Sequence, residues 1–394
     1  MVAGFYIPSV NLMGVDAVKE AGDRMKSMGL THALLVTDKG LADMGVADEV
    51  AEEIRKSDIR VTIYSGSEPN PTDENVAQGL IMYNDHQCDS IVSLGGGSSH
   101  DCAKGIGLVA SNGGTIHDYE GVDQSASPLP PLVAINTTSG TASEMTRFCI
   151  ITDSERKVKM AIVDKHTTPL ISINDPKLTL KKPASLTAAT GVDALTHAVE
   201  AYVSTDATPI TDACALQAMR LIRSNLRAAV ANGEDLEARS QMSYAQFLAG
   251  MAFNNASLGY VHAIAHQFGG IYNLPHGVCN AILLPHVERF NLMSKPKRFR
   301  DIAEALGEYT DGFSDREAAE KAIDAIVTLC RDVGIPGGFA ELGAKEEDID
   351  ILAENAMKDA CALTNPRKAT LDEVKEIIRG SFYETSPQKE KVHQ

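Results

Sequence analysis

A chain of 394 residues is longer than single hydrophobic cores usually grow, so two domains are expected; 44% hydrophobic and 23% charged residues exclude disordered and fibrous classes. The formal charge of −17 repels polyanions, and no segment interleaves clustered Lys and Arg with aromatics, which excludes nucleic acid and anionic membranes as partners. Seven scattered cysteines, odd in number and never spaced as CxxC, argue against a disulfide framework or zinc ribbon and fit a reducing cytosol.

The opening stretch MVAGFYIPSVNLMG lacks a basic region followed by a long apolar run, and no apolar run approaches the length of a membrane span. A cytoplasmic, untargeted chain is therefore expected. Short β-branched runs follow at HALLVTD (32–38), IRVTIYS (59–65), DSIVSLG (89–95) and PLVAIN (131–136). Between them, VADEVAEEIRKS and NVAQGLIMYNDHQ repeat apolar residues at three- and four-residue intervals, as helices covering a sheet do. Residues 1–182 are thus predicted to form an α/β layered domain.

Within it, SIVSLGGGSSHDCAKGIGLVA sets three glycines directly after a strand and before a helix. Gly95, Gly96 and Gly97 let backbone approach an anion, whose charge the free N–H groups and positive end of the helix stabilise. The run is not GxGxxG, and the acidic residue expected about 20 positions later is missing, so it departs from the ordinary dinucleotide fingerprint. A second polar loop, NTTSGTASEMT (136–146), again follows an apolar strand. Two such loops predict one nucleotide held by both.

Beyond Pro183 the texture changes to Ala- and Leu-rich stretches: SLTAATGVDALTHAVEAYVS, TDACALQAMRLIRSNLRAAVAN and EARSQMSYAQFLAGMAFNNAS. Residues 183–394 are predicted to be all helical, with the tail SPQKEKVHQ as a frayed end. Five of the eleven histidines fall between His197 and His286. Asp193 and His197 lie four apart and so share a helix face, His262 and His266 repeat that spacing, and His276 lies at a Pro-flanked turn. An apolar helix carrying a carboxylate and an imidazole on one face is costly unless they are paired or metal bound. A mixed oxygen and nitrogen set without thiolate suits divalent iron, zinc, nickel or cobalt.

These segments, together with GGGSSHDCAKGIG, INTTSGTASEMTRFCIITD, SINDPKL, LAGMAFNNASLGYVHAIAHQFGG, LPHGVCNAILLPH and ALTNPR, resemble the iron-containing (group III) alcohol dehydrogenase family over nearly the whole chain. Closest in character are that family's bacterial ethanol, methanol and 1,3-propanediol dehydrogenases. The resemblance implies a Rossmann-like N-terminal dinucleotide-binding domain, an all-α C-terminal domain in a dehydroquinate synthase-like architecture, and a metal in the cleft between them. It puts the metal on Asp193, His197, His262 and His276, with iron(II) favoured over zinc. His266 is implied near the nicotinamide and substrate, outside the ligand set, as a catalytic proton relay. The cofactor pattern falls on Asp38, Asn70, Gly96, Gly97, Ser98, Asp101, Lys104, Thr137, Thr138 and Lys159. Asp38 ends a strand, where its charge accepts from a ribose hydroxyl and repels a 2′-phosphate, so NAD is expected over NADP.

Phe148, Phe253 and Cys361 are implied to line a small substrate pocket. One departure is Ser139, where many relatives carry Ala. A homo-oligomer, dimer or larger, is also implied. The expected reaction is oxidation of a small primary alcohol to an aldehyde, or the reverse, with a 1,3-propanediol or other small diol dehydrogenase as the nearest alternative. A lyase of the dehydroquinate synthase type is disfavoured, because a phosphorylated sugar would want several Arg and Lys beside the histidines and those segments carry almost none. A non-catalytic metal- or nucleotide-binding assembly protein is disfavoured because both candidate sites occur in one chain.

Overall fold

The apolar runs of the first half form strands in the computed structural model, which describes residues 4–383. The chain divides into two compact units, Met1–Lys181 and Lys182–Gln394. In the first, the strands are β1 (Val10–Met13), β2 (His32–Asp38), β3 (Arg60–Ser67), β4 (Ser90–Gly95), β5 (Gly121–Val122), β6 (Leu132–Asn136), β7 (Phe148–Asp153), β8 (Val158–Val163) and β9 (Ile171–Asn174). Its helices are α1 (Ala21–Ser27), α2 (Lys39–Asp43), α3 (Val46–Arg55), α4 (Asp73–Asp85) and α5 (Gly97–Asn112).

Six strands make one sheet in the order β1-β9-β6-β4-β2-β3, every neighbouring pair parallel. Both faces are covered, which is why β2 and β4 are buried along almost their whole length rather than at alternate residues. Leu35, Val92 and Ile135 pack with Met25, Val50 and Ile54 on one face, whereas Leu34 and Ile91 pack with Val76 and Ile106 on the other.

From β2 the chain moves outward to β3, then returns to place β4 on the opposite side of β2. In an open parallel sheet that reversal marks a crevice at the carboxyl ends of the two strands. Asp38 ends β2 and Gly95 ends β4. The sequence reading did not foresee the short edge strand β1, its partner β9, or a separate three-stranded sheet, β5-β8-β7, whose β7 and β8 run antiparallel.

The second unit is helical: α6 (Ala184–Val203), α7 (Pro209–Ala231), α8 (Leu236–Ala256), α9 (Tyr260–Tyr272), α10 (His276–Asn291), α11 (Pro296–Ala305), α12 (Asp315–Asp332), α13 (Ile349–Ala356) and α14 (Leu371–Gly380). Helix α6 is buried at nearly every position from Thr187 to Val203, so its polar residues have no solvent to face. The expected Pro-flanked turn at His276 is instead the start of a helix: Pro275 is the N-cap of α10 and His276 its first residue. Among the described residues, no helix is long and apolar enough to cross a membrane. The tail expected to fray, from Ser386 onward, lies outside the described residues.

Candidate metal and nucleotide sites

In the helical unit, α6 presents Asp193 and His197 one turn apart, α9 presents His262 and α10 opens with His276. Each offers one ligand atom, and these atoms all lie within 4.8 Å of one another. Asp193 Oδ1 stands 4.0 Å from His197 Nε2 and 3.7 Å from His276 Nε2. The rings of His197 and His262 stack with centroids 4.8 Å apart, and Phe253 stacks on the ring of His197 at 4.2 Å. The two ligands on α6 and His262 are buried, whereas the His276 side chain is 32% exposed and marks the open side.

The chemistry of this cluster fits a cation. Burial, followed by the neighbouring imidazoles of His197, His276 and His266, holds the pKa of His262 well below the usual imidazole range, so the ring stays neutral. His262 Nδ1 is paired with Glu200 Oε2, whose carboxyl pKa is pushed well above the usual range by burial and then by the Glu288 charge, and the pairing orients the ring so that Nε2 reaches Asn280 among the clustered ligand atoms. Glu200 Oε1 accepts the backbone N–H of Val261 at 2.7 Å, so one carboxylate both caps the start of α9 and orients a ring on it.

Asn280, one turn beyond His276, sends Nδ2 to Asp193 Oδ1 at 2.7 Å and to the Nε2 atoms of His262 and His276 at 3.0 Å each. Three candidate ligand atoms thus converge on one amide nitrogen. Two glycines permit the approach: a Cβ at Gly277 would lie 2.6 Å from the Ala189 carbonyl oxygen, and one at Gly259 would lie 2.8 Å from Glu200 Oε1. His266 stands outside this group. Its Nδ1 pairs with Asp359 Oδ2 at 2.8 Å, and its ring stacks on His276 with centroids 5.5 Å apart.

In the first unit, β4 ends at Gly95 with φ +152°, a conformation suited to glycine, and a Cβ there would also lie 2.4 Å from Ser99 Oγ. Helix α5 begins at once, and no side chain caps its first turn. Its leading N–H groups are therefore open to an anion, and Gly96, Gly97 and Ser98 are only half-buried. The second polar loop closes on the first: a Cβ on Gly96 would lie 3.1 Å from Thr138 Cγ2, and one on Gly97 3.1 Å from Thr141 Cγ2. Thr137 is buried and donates its N–H to the Gly95 carbonyl at 2.9 Å. Asp38 is half-buried, with Oδ1 accepting from Leu41 N as the N-cap of α2. Asn70, at φ +58°, accepts from Lys159 Nζ at 2.7 Å, so these two distant residues meet.

Family models for the iron-containing alcohol dehydrogenases match residues 8–176, and for the C-terminal part of the Fe-containing alcohol dehydrogenase family residues 187–382. The chain belongs to the iron-containing alcohol dehydrogenase family. This family member is 54% identical over 380 residues to a 1,3-propanediol dehydrogenase from Citrobacter freundii, covering 96% of this chain and 98% of that one. It is 52% identical over 381 residues to an NAD-dependent methanol dehydrogenase from Bacillus methanolicus, covering 97% of this chain and 100% of that one. A solved 1,3-propanediol oxidoreductase structure superposes with a TM-score of 0.96 at 54% identity, covering 97% of this chain and 100% of that one. The alcohol dehydrogenase described here is accordingly an oxidoreductase.

Lys104 is fully buried in this alcohol dehydrogenase, and its Nζ donates to Ser143 Oγ (3.0 Å), Thr146 Oγ1 (3.3 Å) and the Phe148 carbonyl (2.7 Å). An ammonium has three protons, so in this arrangement Lys104 braces the polar loop. Asp101 is turned inward beside it, accepting from Ser143 Oγ at 2.7 Å and Ile150 N at 3.2 Å. Replacing Lys104 by methionine is expected to lower stability by about 3 kcal/mol, because it leaves Asp101 without its neighbouring charge and three acceptors without a donor. Urea unfolding should register the loss while the nucleotide KM of folded enzyme stays unchanged; a raised KM at unchanged stability would restore the contact role.

Of the three residues expected to line a substrate pocket, Phe253 lies against the histidine cluster, and Cys361 lies with His266 and Asp359. Burial, then the Asp359 charge, pushes the Cys361 thiol well above its usual range, so it is a neutral thiol and not a thiolate. Phe148 belongs to the other unit, at the start of β7. Sequence reading missed Glu200 and Asn280. Asn280 stands four residues after His276, the spacing that linked the other two pairs, and that repetition was the available signal.

Proposed function

We propose that this alcohol dehydrogenase interconverts short primary alcohols and aldehydes with NAD and one divalent metal, iron(II) in preference to zinc, held by Asp193, His197, His262 and His276. The observation that carries the proposal is the convergence of those four ligand atoms within 4.8 Å of one another. When bound, the metal supplies Lewis acidity toward an alcohol oxygen and the nicotinamide accepts a hydride.

The chain's own residues do the rest. Glu200 fixes the tautomer of His262. Phe253 and the neutral Cys361 thiol offer small apolar walls, which favour short substrates and discriminate by only about 1–3 kcal/mol per methylene. His266, with Nδ1 held by Asp359, presents Nε2 as the atom that takes up or releases the alcohol proton. On the nucleotide side, Gly96, Gly97, Ser98 and the start of α5 cradle the pyrophosphate; Thr138, Asn70 and Lys159 shape the adjoining surface, Thr137, Asp101 and Lys104 brace it from beneath, and Asp38 meets the adenosine ribose. The name of the Citrobacter relative supports small diols as a second substrate class. A cytoplasmic location and a homo-oligomeric state complete the proposal.

Metal analysis of anaerobically purified protein, joined to NADH absorbance with methanol, ethanol, 1-butanol and 1,3-propanediol, tests it. One iron per chain with turnover of these alcohols is expected; protein that reduces no NAD with any of them sinks the reading. Replacing Asp38 by glycine is expected to raise kcat/KM with NADP relative to NAD, since a repelling charge and a ribose acceptor both vanish. An unchanged cofactor ratio would remove Asp38 from that role.

A further inference from the structure

The ALTNPR segment, residues 362–367, takes no part in the chemistry proposed above. Its first three residues end a short 3-10 turn, Ala360–Thr364, which packs on α9 and follows directly on Asp359. So short a turn makes too few internal bonds to fix itself, and Leu363 within it is 69% exposed, so its place depends on its two ends. At the front, Asp359 pairs with His266 Nδ1 and accepts from Cys361 N at 2.9 Å. At the back, Thr364 Oγ1 donates to the Leu258 carbonyl at 2.6 Å, and the Thr364 carbonyl accepts from Thr205 N at 3.0 Å.

Asn365 is the stronger hold. It is buried; its Oδ1 accepts from Tyr260 N at 3.2 Å and Asn291 Nδ2 at 3.1 Å, while its Nδ2 donates to Asn291 Oδ1 and the Arg367 carbonyl, each at 2.7 Å. Both protons and both lone pairs of the amide are thus used. A Cβ at Gly259 would lie 2.7 Å from Asn365 Oδ1, so a glycine there lets the amide reach the first N–H of α9. Arg367 adds a second grip on the end of α10, donating to the Phe290 carbonyl at 3.0 Å and lying over the Phe290 ring.

Resting on the proposed alcohol site, we infer that Asn365 is a positioning residue and that residues 359–365 form a strap whose placement sets the length of alcohol accepted. Asp359 and Cys361 ride on this strap, one holding the His266 ring and the other offering a wall. Released from α9 and α10, the strap drifts outward, the wall recedes and the imidazole loses its alignment with the alcohol oxygen.

Initial rates of full-length enzyme with ethanol and 1-butanol, at equal metal content, test this. Asn365→Ala should lower kcat with ethanol about tenfold and raise the 1-butanol to ethanol ratio of kcat/KM about fivefold. A variant that is merely less stable loses active enzyme for both alcohols alike, so the ratio separates positioning from stability. Cys361→Ala should shift the ratio the same way, and adding Asn365→Ala to it should add little. An unchanged ratio in Asn365→Ala, or full additivity of the two changes, overturns the inference. Should Asn365→Ala not fold by circular dichroism, Thr364→Val decides, since it keeps the shape and removes only the bond to Leu258: the same ratio should rise about twofold, and no rise overturns the inference. If wild-type protein oxidises neither alcohol, the proposed function itself fails and the inference falls with it, a result distinct from the others.

Discussion

Alanine in place of His276 is expected to remove bound metal and alcohol turnover together while leaving the fold intact. Three helices supply the ligand atoms, and losing one imidazole takes about a quarter of the donor set. The remaining ligands cannot close around the ion, because His197 and His262 are fixed by ring stacking and His262 also by Glu200. Lewis-acid stabilisation is worth several kcal/mol, so NADH formation should fall by at least about a thousandfold. Stability should change little, because the His276 side chain is 32% exposed and stands at the first residue of α10, where truncation opens space to water rather than a void. Elemental analysis and initial rates on the same preparation give the answer; metal retained at one per chain with undiminished rate would refute the ligand assignment.

The second large effect is expected at Glu200, a residue that never touches the proposed metal. Exchange for glutamine leaves a carbonyl oxygen to accept from Val261 N, so α9 keeps its cap and the thermal midpoint should hold. The other end of the side chain then becomes an N–H donor facing His262 Nδ1. That ring must answer with a lone pair at Nδ1 and carry its proton at Nε2, the atom needed for the ion. Metal affinity is expected to drop by about 10- to 100-fold, the usual cost of a lost outer partner. Equilibrium dialysis against competing chelator measures it, and an affinity equal to wild type would show that the carboxylate does not set the tautomer.

How legible this was in the sequence differs from part to part. The central strands were readable because parallel strands covered on both faces are continuous apolar runs, as in HALLVTD and SIVSLG. The edge strand β1 and the small sheet were not: their burial is partial, and FCIITD alternates buried with half-buried residues in a loop-rich stretch that gives no strong period. In the helical half, four-residue spacing exposed Asp193 with His197 and His262 with His266, but spacing alone cannot say that His266 turns to Asp359. That partner lies 93 residues away. Lys104 meets the same limit: a lysine one turn past a glycine loop reads as an anion contact, and its buried partners at positions 143, 146 and 148 cannot be read from spacing.

The contact between Gly277 and the Ala189 carbonyl carries a kinetic consequence. With no Cβ as spacer, the first turn of α10 rests directly on the backbone of α6, so His276 and Asp193 ride on elements that cannot drift apart by rotating side chains. An ion held at the proposed site would escape when that turn unwinds locally, on the slow timescale of amide hydrogen exchange rather than that of rotamer hopping. Leakage to a chelator would then track deuterium uptake at residues 276–280, and a protein that binds its ion only modestly at equilibrium would still surrender it slowly.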